Sequence, residues 1–110
     1  MSFLIDTDTC SAYLKGHAVV FNRFLQYMGR LHVSTITMSE LFDWALRTHA
    51  SPKRLLDVNN LLNDVTVLNV DLTVARKYGE LQAAFRDVGQ PAPEMDLLIG
   101  STALVHGLTV

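Results

Sequence analysis

The chain has 110 residues, of which 49% are hydrophobic and 18% are charged, and its formal net charge is −2. This length suits one domain, residues 1–110, around a single core, and the composition excludes a disordered segment. The slightly negative charge also excludes the broad basic surface with which many proteins hold duplex DNA through its phosphates.

The first half of the chain alternates short β-rich runs with amphipathic helices. Thr37 predicts a helix start, because its hydroxyl can cap the first turn while Glu40, three residues on, completes a capping box. The predicted elements, in order, are a strand over 2–5, a helix from the cap-prone residues 6–9 to Gly16, a helix over about 18–29, a strand over 31–36 and a helix from Thr37.

The second half continues this alternation. Ser51 with Pro52 marks a helix start, and Gly107 marks a helix end. The predicted elements are helices over about 52–63, 71–88 and 93–106, with strands over 66–70 and 108–110. Strands that alternate with helices form crossover connections, so we predict an α/β fold with a mostly parallel sheet and helices on both faces.

Three acidic residues lie where the predicted strands give way to helices. Asp6 follows the first strand, Glu40 lies in the turn after the second, and Asp96 lies in the first turn of the last long helix. Each has a structural explanation as a helix cap or a favourable charge at a helix start. Parallel sheets nevertheless bind ligands beyond the carboxyl ends of their strands, where these acids could converge. Converging carboxylates repel unless a cation compensates, and Mg²⁺ or Mn²⁺ is the natural one for cutting phosphodiesters.

Three blocks of sequence, in this order and spacing, resemble a known family. They are Leu4–Thr9, Ser34–Leu41 and Met95–Val110. They resemble the PIN-domain ribonucleases, specifically the VapC-type toxins of bacterial toxin–antitoxin modules. The resemblance implies a three-layer α/β/α sandwich and a Mg²⁺- or Mn²⁺-dependent endoribonuclease that cleaves RNA and inhibits translation. It also implies neutralisation by a VapB-type antitoxin, with a homodimer and a toxin–antitoxin heteromer.

The resemblance also assigns residues. By position, Asp6, Glu40 and Asp96 would be the metal-binding and catalytic acids, with Asp8 and Thr7 as secondary candidates near the site. Such toxins usually continue past this point into a segment with a further Asn or Asp near the metal. We therefore expect a domain truncated at its C-terminal end, with the last predicted strand, 108–110, weakly anchored.

Two alternatives stay open. Asp6 and Asp8, with Cys10 in the fifth position, approach the Asp-x-Asp-x-Thr signature of haloacid-dehalogenase phosphatases, in which one aspartate is the nucleophile. The second alternative is a PIN fold that binds an antitoxin or RNA without cleaving. Trp44 shares a helix face with Glu40, so its indole could border the acidic crevice or an antitoxin contact.

The single cysteine bears on the compartment. Cys10 alone excludes an intramolecular disulfide and a cysteine-based zinc site, and it fits a reducing environment. No apolar run approaches the roughly 18 residues needed to span a bilayer. We therefore expect a cytoplasmic protein with no membrane partner.

Overall fold

The computed structural model describes residues 1–110 as three short strands and six helices. The strands are β1 (Phe3–Leu4), β2 (Leu31–Ser34) and β3 (Thr66–Leu68), and the helices are α1 (Thr7–Leu14), α2 (Ala18–Gln26), α3 (Thr35–Ala45), α4 (Pro52–Leu61), α5 (Leu72–Asp87) and α6 (Glu94–His106). The strand order is β1-β2-β3, and both pairs are parallel. The predicted parallel sheet is confirmed.

The segment after α6 returns to the free side of β1. Thr109 forms a parallel bridge with Phe3, so the predicted fourth strand is reduced to one bridging position. The Leu4 amide donates to the Thr109 carbonyl at 2.8 Å, and the Thr109 amide donates to the Ser2 carbonyl at 3.2 Å. Leu108 packs against the buried cluster of Leu4, Ile99 and Ala103. The expectation of weak anchoring is therefore wrong, because two backbone hydrogen bonds and an apolar contact hold this segment.

Helices cover both faces of the sheet, as the predicted three-layer α/β/α arrangement requires. On one face Leu31 and Val33 of β2 meet helices α1 to α4, in a core cluster that also contains Cys10, Phe24, Met38, Leu41, Ala45, Val58 and Leu61. On the other face Leu4 of β1 packs against Ile99 and Ala103 of α6. Helix α5 packs along α6. None of the helices is both long and apolar enough to cross a membrane.

The start of α3 differs from the prediction. The strand ends at Ser34, whose hydroxyl accepts a hydrogen bond from the Ile36 amide at 3.1 Å and so caps the helix. Thr37 lies inside the helix with a fully buried side chain, so the capping box predicted for Thr37 and Glu40 is wrong. The Ser34 cap overrides the β preference of the next two residues. The side chain of Glu40 is consequently not needed at the helix start.

Candidate metal-binding cleft

An acidic cleft lies beyond the carboxyl end of β1, between the start of α1 and the start of α6. It consists of two adjoining concavities of about 340 and 100 Å³. Asp6, Asp8 and Asp96 line both, and Glu40 lines the smaller one. The structure thus brings together the three acids that the sequence singles out. This is the position at which parallel sheets commonly bind ligands, because the connections on either side diverge there.

Asp6 uses one of its two carboxylate oxygens to hold the helix that follows it. It is the cap of α1, and its Oδ1 accepts a hydrogen bond from the Thr9 amide at 2.9 Å. The sequence left open whether Thr7 or Asp8 would cap this helix instead. The cap fixes the orientation of the carboxylate, and Oδ2 has no hydrogen-bond partner within the chain. One oxygen therefore stabilises the helix while the other is available to a ligand.

Glu40 is held toward the cleft by a residue of another helix. The Thr7 hydroxyl donates to Glu40 Oε1 at 2.7 Å, and the Thr37 hydroxyl lies 3.3 Å from the Thr7 hydroxyl. These contacts connect the first turn of α1 with the first two turns of α3. The resemblance named Thr7 as a candidate near the site, but Thr37 was predicted only as a helix cap. Its contact with Thr7 could not be predicted, because hydroxyls on separate helices become neighbours only after the helices pack.

Asp96 is exposed in the first turn of α6 and makes no ion pair. No side chain caps this helix, whose first residue follows Pro93. Instead, the buried side chain of Gln82 in α5 forms two hydrogen bonds with the backbone of Ala92, in the turn that precedes α6. Its Nε2 donates to the Ala92 carbonyl at 2.8 Å, and its Oε1 accepts from the Ala92 amide at 2.9 Å. The sequence predicted only the helix over about 71–88 that carries Gln82, and no motif indicated this contact.

The cleft has an uncompensated negative charge. No lysine, arginine or histidine lines either concavity, and none of the four salt bridges of the chain involves Asp6, Asp8, Glu40 or Asp96. Hard oxygen donors without a basic partner are the ligand set of Mg²⁺ and Mn²⁺. The donor chemistry therefore fits a divalent cation.

The carboxylates do not form a closed cage. No group of three or more His, Cys, Asp or Glu side chains is already arranged to hold one ion. Mg²⁺ does not require such a cage, because it keeps several waters and is usually bound through one or two protein carboxylates together with phosphate oxygens of a substrate. Asp8 and Asp96 are exposed and make no salt bridge, so their side chains can adjust to an ion.

Two other residues of interest lie elsewhere. The Cys10 thiol is fully buried in the core, and its burial, with a smaller contribution from the charge of Asp6, raises its pKa to about 12. It is therefore a packed apolar group and not a nucleophile. Trp44 does not line the acidic cleft. The guanidinium of Arg54 lies 4.8 Å from the centre of its ring, which joins α3 to α4.

Comparison with known families gives one match over nearly the whole chain. The family described as the PIN domain matches residues 3–110. Two curated relatives are each named "tRNA(fMet)-specific endonuclease VapC". The one from Shigella flexneri is 26% identical over 100% of this chain and 84% of its own length. The one from Salmonella typhimurium is 29% identical with the same coverage.

Solved structures have the same fold. The DNA-bound VapBC complex from Salmonella typhimurium includes a chain that superposes with a TM-score of 0.90 at 28% identity, covering 98% of this chain and 83% of that one. VapBC2 from Rickettsia felis, bound to a promoter DNA fragment, gives a TM-score of 0.88 at 19% identity, covering 98% and 84%. At that lower identity the likeness concerns the fold alone.

Proposed function

Because this chain belongs to the PIN domain family, we propose that it is an endoribonuclease and the toxin of a type II toxin–antitoxin module. The observation that supports this most directly is the acidic cleft. Asp6, Glu40 and Asp96 come from three separate parts of the sequence, yet they line one concavity that contains no basic side chain. Relatives named as VapC endonucleases match along the entire chain.

We assign the catalytic and metal-binding roles to these three acids. Asp6 would hold the ion through Oδ2, because Oδ1 is engaged in the helix cap. Glu40 and Asp96 would bind from α3 and α6, with Asp8 and Thr7 at the rim as secondary groups. Mg²⁺ or Mn²⁺ in this cleft would make a bound water more acidic and would stabilise the leaving oxygen of a phosphodiester. Without a cation, the unbalanced negative charge of the cleft would repel anions.

The substrate and partners follow from the named relatives. RNA is the proposed substrate, and an initiator transfer RNA is the first to test, because two relatives are named for it. A VapB-type antitoxin is the proposed partner, since the similar chain from Salmonella typhimurium was solved within a VapBC complex. We further propose a homodimer, a toxin–antitoxin heteromer and a cytoplasmic location, where such an RNA is found and where the free Cys10 thiol remains reduced.

The decisive experiment compares matched aspartate variants. Purified chain is incubated with initiator transfer RNA in Mg²⁺, in Mn²⁺ and in a chelator, and cleavage is followed on denaturing gels. We expect cleavage only with metal, and we expect Asp6→Asn and Asp96→Asn each to abolish it. Asp87→Asn is the control, because Asp87 is exposed at the end of α5 and does not line the cleft.

The same variants separate the alternatives. If growth arrest on expression is equal for the unsubstituted chain, Asp6→Asn and Asp96→Asn, the chain is a non-cleaving module that binds an antitoxin or RNA. Release of phosphate from a small phosphomonoester, without RNA cleavage, would identify the haloacid-dehalogenase chemistry instead. The PIN match over residues 3–110 gives that phosphatase alternative no support.

A further inference from the structure

We propose that Thr37 is a positioning residue of the cleft, acting on Glu40 through the Thr7 hydroxyl. This role rests on the proposed function, since it concerns how one of the proposed metal-binding acids is held. It assigns a purpose to Thr37, a fully buried threonine of α3 that does not line the cleft itself.

The direction of the hydrogen bonds follows from counting protons. A hydroxyl has one hydrogen and two lone pairs, whereas an ionised carboxylate only accepts. The 2.7 Å contact between Thr7 Oγ1 and Glu40 Oε1 therefore uses the Thr7 hydrogen. At 3.3 Å from Thr7 Oγ1, the Thr37 hydroxyl must then be the donor, and it makes no other side-chain hydrogen bond. The three groups form a directed relay from Thr37 through Thr7 to Glu40.

Burial makes this relay directional and stable. Thr37 is completely inaccessible to solvent, so water cannot take its hydrogen, and a buried hydroxyl without a partner is costly. Its donation occupies a lone pair of Thr7 and turns the Thr7 hydrogen toward Glu40. A chain of hydrogen bonds polarises its members, which strengthens the final bond to the carboxylate.

The consequence for the cleft is geometric. Glu40 is exposed on α3, and without the relay its flexible side chain would sample several rotamers in water. With Oε1 held by Thr7, the other oxygen, Oε2, is available to an ion, and the side chain has less entropy to lose on binding it. The relay also ties α1, which carries Asp6, to α3, which carries Glu40. It therefore fixes the spacing of two proposed ligands at once.

Thr102 provides a matched control. It is also a fully buried threonine on a helix, but its hydroxyl donates to the Leu98 carbonyl of its own helix at 2.8 Å. Replacing either threonine by valine removes a buried hydroxyl and keeps the branched shape. Only the Thr37 substitution breaks a contact that leads to Glu40.

The test is a calorimetric titration of the purified full chain with Mn²⁺ alone. We expect Thr7→Val to weaken Mn²⁺ binding about ten-fold, as is usual for loss of a hydrogen bond to a metal ligand. Thr37→Val should weaken it about three-fold, because it removes a neutral hydrogen bond one step further away. Thr37→Ser, which keeps the hydroxyl, and Thr102→Val should bind like the unsubstituted chain. If Thr37→Val does not fold, Thr37→Ala removes the same hydroxyl, and the same outcomes apply to it.

A double variant distinguishes a relay from general loosening of the fold. The two groups act in series, so Thr7→Val combined with Thr37→Val should bind Mn²⁺ no more weakly than Thr7→Val alone. If the effects multiply, or if Thr37→Val and Thr102→Val weaken binding equally, the relay is wrong although the metal site stands. An unsubstituted chain that cleaves RNA with metal but binds no Mn²⁺ in the titration would overturn the relay and leave the proposed function intact.

Discussion

The hydrogen bonds of Gln82 provide a quantitative test of how α6 is held against α5. Gln82→Met keeps an unbranched side chain of similar length but cannot form the two bonds to Ala92, at 2.8 and 2.9 Å. Each bond contributes about 1 kcal/mol net. The free energy of unfolding should therefore fall by about 2 kcal/mol. With an unfolding entropy of about 2.1 cal/mol/K per residue, this loss lowers Tm by about 9 °C.

The assay is urea unfolding followed by circular dichroism, with hydrogen exchange at the Ala92 amide as a local readout. Gln90→Met is the control, because the Gln90 side chain is exposed on the adjoining turn and makes no hydrogen bond. We expect that control to change stability by less than about 0.5 kcal/mol. If Gln82→Met is equally mild, or if exchange at Ala92 is unchanged, the turn before α6 is held by something other than Gln82.

Further predictions concern the cap, the buried thiol and the core. Asp6→Asn should abolish RNA cleavage with little loss of stability, because asparagine also caps a helix. Asp6→Ala should abolish cleavage and also lower the free energy of unfolding by about 1 kcal/mol, because alanine cannot cap. Thermal melts of both variants check this. The Cys10 thiol should resist a thiol reagent at pH 8 until the chain unfolds. Burial raises the pKa of this thiol from 9.0 to about 12 in the folded chain. The neutral thiol therefore contributes its full stability below about pH 9, and that contribution is lost as the pH rises toward 12. In urea titrations over this range, the free energy of unfolding should fall less for Cys10→Ala than for the unsubstituted chain. Leu41→Ala, at a side chain 1% exposed, should cost about 2–5 kcal/mol, and Leu46→Ala, at 64% exposed, should change urea unfolding by less than about 0.5 kcal/mol.

Local patterns predicted most of the architecture, because they depend on neighbours in sequence. Alternating apolar runs and cap residues gave the parallel sheet and the helices on both faces. The acids converge because the sheet is parallel, which the sequence also indicates. The prediction failed at the start of α3, because the β-rich run over 31–36 hid the cap at Ser34, three residues before the predicted start.

The contacts that hold the site in place could not be predicted in the same way. Thr7 with Thr37, and Gln82 with Ala92, are pairs in which each side chain has several ordinary solvent-facing roles. Only the docking of one helix on another brings their polar atoms within hydrogen-bond distance. A single sequence specifies that docking through the sum of its core contacts, which no short motif records.

The backbone pairing of Leu4 with Thr109 also has a consequence for the order of folding. This contact joins residues that are far apart along the chain, and closing such a long loop is slow because its entropy is lost before the contact is gained. The helices α1 to α4 can collapse onto β2 earlier, through more local contacts. Asp96 reaches Asp6 only once α6 has docked beside β1. We therefore expect the acidic cleft to form late in folding, so that a nascent chain carries no assembled cleft until α6 and the segment around Thr109 have been synthesised.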